Sequence, residues 1–172
     1  EVLDRLVLEG RVPALSHVLA SDGIWTDGHE KDLMSSHGMN LVLNPRMNRR
    51  VKAGRADLAA YLERGVPVFL GTDGEASNDD LSVEGERRFL AEDFPGIDRA
   101  VVEGLGRTLF PFPSCPLGCL APGFAGDLKV LQGDQVRDVF VAGKKVVSDG
   151  RLVTLDPWGD IENPLQSLLA EW

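Results

Sequence analysis

Apolar and polar positions along this chain change period several times, and each change marks an element. Leu3, Leu6 and Val7 fall at helical spacing before Glu9-Gly10 closes the segment. Val12 to Leu19 is apolar except for Ser16 and His17, which predicts a buried strand with its polar residues near the end. Thr26-Asp27-Gly28-His29-Glu30 offers a cap and acidic first-turn residues for a helix through about His37, stopped at Gly38. Met39 to Leu43 reads as the next short strand, running into Asn44-Pro45-Arg46-Met47-Asn48. Asp57 to Arg64 places Leu58, Tyr61 and Leu62 on one stripe of a helix stopped by Gly65. An apolar run from Val66 then breaks off at Gly71, and the carboxylate of Asp73 follows between Thr72 and Gly74.

Helix and strand thus alternate three times with loops of the length expected for successive βα units, which predicts an α/β fold with a parallel sheet or barrel. Val83 to Glu92 and Asp98 to Leu109 can each form a helix before a Pro-rich connector from Phe110 to Cys119. Short strands follow at Asp127 to Leu131, Val136 to Val141, Lys144 to Val147 and Arg151 to Leu155, an antiparallel appendage rather than another βα unit. Pro164 to Trp172 reads as a terminal helix carrying Leu165, Leu168, Leu169 and Trp172. The expected division is a barrel-type part over 1–115 and the appendage over 116–172.

Composition narrows the function. The 172 residues are 43% hydrophobic and 26% charged, enough for one substantial core. A formal charge of -9 argues against binding nucleic acid or an anionic membrane surface, since both need basic patches. No apolar run approaches the roughly 18 to 20 residues that span a bilayer, and no signal peptide is visible, so a cytoplasmic protein with a small-molecule or protein partner is expected. For Cys115 and Cys119 a reduced loop pair is preferred over a disulfide, and two cysteines are too few for a structural zinc site without histidines nearby. The chain begins at Glu1, and Val2 to Leu8 has the look of a helix already under way, a hint of truncation.

In parallel α/β folds chemistry collects beyond the carboxyl ends of the strands. Three such ends are expected here: Ser16-His17, Asn44 to Asn48, and Gly71-Thr72-Asp73-Gly74 with Ser77-Asn78-Asp79 beyond. Asp73 alone reads equally as a site carboxylate or a turn aspartate. His29 and His37 fit solvated helix-end positions. Trp25 could wall a pocket or sit in an ordinary core or rim.

The order and spacing of these ends resemble the last three barrel strands of the amidohydrolase superfamily, in its deaminase and chlorohydrolase branch. The stretch Thr72-Asp73-Gly74, Ser77-Asn78 and Asp80-Leu81, with Asn44-Pro45 and Asn48 upstream, carries most of the likeness. Leu120-Ala121-Pro122-Gly123 with Gly126-Asp127-Leu128, and the strands from Val139 to Leu155, resemble the family's closing segments. Departures are Leu43 where a histidine or cysteine often precedes Asn-Pro, Glu75 at a usually small position, and Gly126-Asp127 in place of alanine-aspartate.

The resemblance implies the last three βα units of a metal-dependent (β/α)₈ TIM barrel with a small β-sandwich, and one zinc or iron ion at the barrel's C-terminal face. It implies that Asp73 is the eighth-strand metal ligand, which also takes a proton from the metal-bound water. By the same likeness His17 is the sixth-strand histidine that contacts that water or the atom it attacks. A divalent ion lowers the pKa of bound water from about 15.7 to about 7. The hydroxide then adds to an electron-poor ring carbon of a heterocyclic substrate, and ammonia or chloride leaves. Asn44 and Asn48 would shape the loop or support the ligand. Ser77 and Asn78 would line the substrate loop or cap a helix, the latter preferred.

A full barrel takes about 250 residues, whereas three βα units are visible, with no His-x-His or His-x-x-x-Glu arrangement among the three histidines. His17 and Asp73 are short of the three protein ligands of a catalytic zinc, so tight metal binding or turnover by this chain alone is not expected. The leading reading is the C-terminal portion of a purine- or pyrimidine-type deaminase, its N-terminal half lying outside the sequence or on a second chain, with homo-oligomer formation left open. The alternatives are a non-catalytic barrel remnant or a subunit completed by a second chain, and, among enzymes, a chlorohydrolase or cyclic-amide hydrolase.

Overall fold

The computed structural model describes residues 5, 9–10, 16, 18–94, 96–105, 117–133 and 135–153. The chain divides into two compact units, Glu1–Pro111 and Phe112–Trp172.

In the first unit, three short strands, β1 (Leu19–Ser21), β2 (Asn40–Leu43) and β3 (Val68–Leu70), form a parallel sheet in that order. The register pairs Ser21 with Val42, and Val42 with Phe69. Leu41, Leu43 and Val68 are buried against Met34, Leu58, Tyr61 and Leu90, whereas the alternate positions Val42 and Phe69 are only half-buried. Alternation along a strand therefore assigns one face to the helices and leaves Ser21, Val42 and Phe69 on the other. Burying each large aliphatic or aromatic side chain contributes about 1.5–3 kcal/mol.

The helices are α1 (Gly28–Ser36), α2 (Pro45–Arg50), α3 (Leu58–Glu63), α4 (Val83–Asp93) and α5 (Arg99–Gly104). Local chemistry starts most of them. Asp27 and Glu30 form a reciprocal capping box on α1, and Asp57, Ser82 and Asp98 each accept a main-chain N–H in the first turn of α3, α4 and α5. None of the described helices is long and apolar enough to cross a membrane.

Three expectations need correction. The first strand lies at Leu19–Ser21, so its C-terminal end presents Ser21-Asp22 rather than Ser16-His17; a mostly apolar run without alternation carries no period with which to place a three-residue strand. The segment after Asn44, expected as loop, is helix α2, with Pro45 at its first turn. Helix α5 ends at Gly104 rather than Leu109, and residues 106–116 lie outside the described residues. Cys115 and the expected terminal helix also lie outside them, and Cys119 is exposed and free.

Tyr61, the sole tyrosine, ties α3 to the β1 end: its hydroxyl donates to the Gly23 carbonyl at 2.8 Å and meets the Thr26 hydroxyl. Burial pushes its phenol above the ordinary value, against the opposing pull of the Thr26 hydrogen bond. A raised pKa means a stabilising contribution fully present below the ordinary phenol value of about 10 and lost as pH rises through the folded value. Tyr61→Phe is expected to cost about 1 kcal/mol at neutral pH and to remove this alkaline loss. Urea unfolding of both proteins from neutral to strongly alkaline pH checks it; an identical alkaline fall in the variant would refute the assignment.

The second unit is an antiparallel meander, β4 (Leu128–Gln132), β5 (Gln135–Val141), β6 (Lys144–Ser148) and β7 (Arg151–Leu152), in sequence order. Ala142-Gly143 and Asp149-Gly150 both take positive φ at successive residues, as two-residue hairpin turns require. A Cβ at Gly126 would lie 2.8 Å from the Gly143 nitrogen, which accounts for glycine where alanine is usual. Asp138 is buried between Arg137 and Lys145, and hydrogen bonds from these two cations, Arg137 first, hold its carboxyl below the usual range.

Candidate active site

Because the three strands are parallel, their carboxyl ends lie at one edge. The ladder continues one step past β1 and β3: Asp22 N–H donates to the Val42 carbonyl at 2.8 Å and Gly71 N–H to the Leu43 carbonyl at 2.9 Å. Asp22, Asn44 and the Gly71-Thr72-Asp73 segment therefore stand side by side. Both aspartates take the left-handed backbone, φ 68° at Asp22 and 54° at Asp73, a conformation that Asp and Asn tolerate better than other side chains.

Asn44 lies between them and is buried. Its amide nitrogen donates to Ser21 Oγ at 3.1 Å and Asp22 Oδ1 at 3.0 Å, and its oxygen accepts the Asp73 N–H at 3.2 Å. Asn48, also buried, donates to the same Asp22 oxygen at 3.0 Å. Asp73 itself is exposed, and its Oδ2 accepts the Ser77 hydroxyl.

The loop that carries Asp73 is anchored from below. Asn78 is 4% exposed and donates to the Thr72 carbonyl at 2.9 Å and to Glu86 Oε1 at 2.6 Å. Glu86 is fully buried, and its other oxygen accepts the Arg46 main-chain N–H at 2.9 Å. Arg46 also donates to Asp80 at 2.7 Å, and this hydrogen bond holds the Asp80 carboxyl below its usual range and the guanidinium above its own. Arg50 pairs with Asp79 across an exposed gap.

The predicted residues therefore separate. Asp73, Ser77, Asn44 and Asn48 share one network. Asn78 is turned inward, its side chain bonded to the Thr72 carbonyl, Glu86 and the Asp79 N–H. Trp25 is 85% exposed and, with Ser21, Asp22, Met47 and Val51, lines an open groove at the β1 end. His17 lies outside the described residues; His29 and His37 are exposed, as expected. Ser21, Asp22 and Glu86 of the network are absent from the sequence-based expectations. Asp22 had a signal, the Asp22-Gly23 pair after an apolar run, matching Asp73-Gly74. Glu86 had none, since its partners come from other elements.

Among the described residues no group of three or more His, Cys, Asp or Glu side chains converges to hold a metal ion. These residues therefore do not by themselves make a complete divalent-metal site.

A polar rim at the carboxyl edge of a parallel sheet is where α/β folds ordinarily gather their ligand-binding and catalytic groups. The sequence model of the Amidohydrolase family matches residues 6–100, and the chain belongs to that family. It is 31% identical over 193 aligned positions to a 5'-deoxyadenosine deaminase of Methanopyrus kandleri, covering 95% of this chain and 44% of that protein. Its fold is similar to an adenosine deaminase from Xanthomonas campestris with bound zinc, at TM-score 0.74 and 22% identity, covering 96% of this chain and 47% of the other. It is also similar to an atrazine chlorohydrolase from Arthrobacter aurescens complexed with zinc, at TM-score 0.68 and 23% identity, covering 92% of this chain and 42% of the other. The chain thus spans about half the length of the relatives it matches.

Proposed function

We propose that the full-length protein bearing this chain is a metal-dependent amidohydrolase that deaminates a purine-type heterocycle, and that this chain supplies the last three βα units of its barrel. The observation that carries the reading is Asp73, an exposed carboxylate on an anchored loop at the carboxyl edge of the sheet, in a chain similar to a named adenosine-type deaminase. In this reading Asp73 is the metal-ligating carboxylate among the described residues, and the remaining ligands come from outside them. The ion, zinc or iron, supplies a water acidified to near neutrality.

The chain's own part is to orient and accept. Asp73 would take the proton of the water whose oxygen adds to the ring carbon and return it to the departing amino nitrogen, so that the exocyclic C–N bond breaks and ammonia leaves. Ser77 steers the Asp73 oxygen, and Trp25 offers an apolar surface to the ring or its substituent.

Metal analysis of the purified full-length protein, together with ammonia release from 5'-deoxyadenosine, tests this. Bound zinc or iron and ammonia release are expected. Metal-free protein, or chloride release from a chlorotriazine with no ammonia from any purine nucleoside, would overturn it.

A further inference from the structure

Asn44 occupies the N-cap position of α2, where an Asn side chain ordinarily accepts a first-turn N–H, yet it makes no such bond. The first turn is served from elsewhere, by Glu86 of α4, which accepts the Arg46 N–H. The Asn44 carboxamide is thereby free to reach along the sheet edge. Its path runs over Gly71, where a Cβ would lie 2.5 Å from Asn44 Oδ1 and 2.7 Å from Val42 Cγ1. Gly71 is not among the positive-φ glycines, so its requirement for glycine comes from this close approach rather than from φ.

We propose that Asn44 is the positioning residue of the rim: a single carboxamide, laid across Gly71, sets the Asp22 carboxylate and the Asp73 main chain relative to each other. This deepens the deaminase reading and rests on it, because it makes the placement of Asp73 depend on a side chain from the neighbouring strand end. It also brings in Asp22 as a second acid of the rim. Both amide groups are used in opposite senses: the NH₂ binds Asp22 and the oxygen binds Asp73 N–H. A residue with only acceptors or only apolar atoms cannot do both. Asn48 holds Asp22 from the other side, which leaves Asn44 as the described side chain that spans the two aspartates.

The test uses the full-length protein with variants Asn44→Ala, Gly71→Ala, their combination, Asn44→Asp and the swap D22N/N44D. Readouts are kcat, KM and hydrogen exchange of the Asp73 amide. Both single variants are expected to lower kcat about 10- to 100-fold with KM little changed, and to speed Asp73 amide exchange roughly tenfold. The double variant should lose clearly less than the sum of the two single losses, since the part of Gly71→Ala that acts by displacing Asn44 is then already gone and only the crowding of Val42 remains. In D22N/N44D the new carboxylate accepts from both neighbours, so Asp73 amide protection should recover relative to Asn44→Asp alone.

An Asn44→Ala protein with wild-type kcat and Asp73 protection would overturn the proposal, as would fully additive losses, or loss of kcat with the Asp73 amide unchanged. If Asn44→Ala reduces the folded fraction, Gly71→Ala and the swap still decide through amide exchange, which needs no turnover. Active Asn44→Ala beside inactive Asp73→Asn sinks only this inference, whereas active Asp73→Asn sinks the deaminase reading itself.

Discussion

Asp73→Asn is expected to lower kcat of the full-length protein about 10²- to 10⁴-fold, the range associated with loss of a positioned proton acceptor, while leaving its stability within about 0.5 kcal/mol. The separation of the two effects follows from the local structure. Asp73 is exposed and has φ 54°, a backbone state open to asparagine as well as aspartate. Its N–H bond to Asn44 Oδ1 is main-chain and survives the change, and the carboxamide oxygen of the variant can still accept the Ser77 hydroxyl. What disappears is the negative charge, and with it the capacity to ligate a cation strongly or to take a proton at neutral pH. Steady-state kinetics with metal content and thermal melts check this. A kcat within threefold of wild type would remove Asp73 from the chemistry.

The route by which Asp73 can be read from the sequence explains what cannot be. A polar residue directly after an apolar run and before glycine is a local pattern, and strands β2 and β3 and helices α1, α3 and α4 carry equally local signals in their caps and stripes. Strand β1 carries none, because Ala20 and Ser21 are small and the apolar run upstream has no period, so the pattern puts the polar end at Ser16-His17 instead of Ser21-Asp22. Helix α2 has no apolar stripe in Arg46-Met47-Asn48-Arg49-Arg50, and a carboxylate 40 residues further along the chain stands at its first turn. The burial of Asn78 is likewise set by Glu86. Residues held by distant partners leave no trace in a neighbouring-residue pattern. The rim is therefore visible one strand end at a time but not as a network.

Glu86 is where the largest loss of stability is expected: Glu86→Ala should destabilise the first unit by about 3–5 kcal/mol, the cost of breaking a buried charged cluster, against a total of about 5–15 kcal/mol for an ordinary domain. Three partners lose their acceptor together. The Arg46 N–H at the start of α2 is left without a partner, the amide nitrogen of the buried Asn78 keeps only the Thr72 carbonyl, and the Arg46 guanidinium, 3.7 Å from Glu86 Oε1, keeps the exposed Asp80. Glu86→Gln preserves volume but turns one NH₂ toward a donor, either Asn78 or the Arg46 N–H, and should cost about 1–3 kcal/mol. Asp79→Ala removes only an exposed pair with Arg50 and should stay within about 1 kcal/mol of wild type. Urea unfolding of the three variants gives the order directly. Since Glu86 ties α2, α4 and the Asp73 loop, the Gln variant should also lower kcat at temperatures where it remains folded. If Glu86→Ala unfolds no more easily than Asp79→Ala, the buried carboxylate does not anchor this loop, and the placement of Asp73 must come from the strand ends alone.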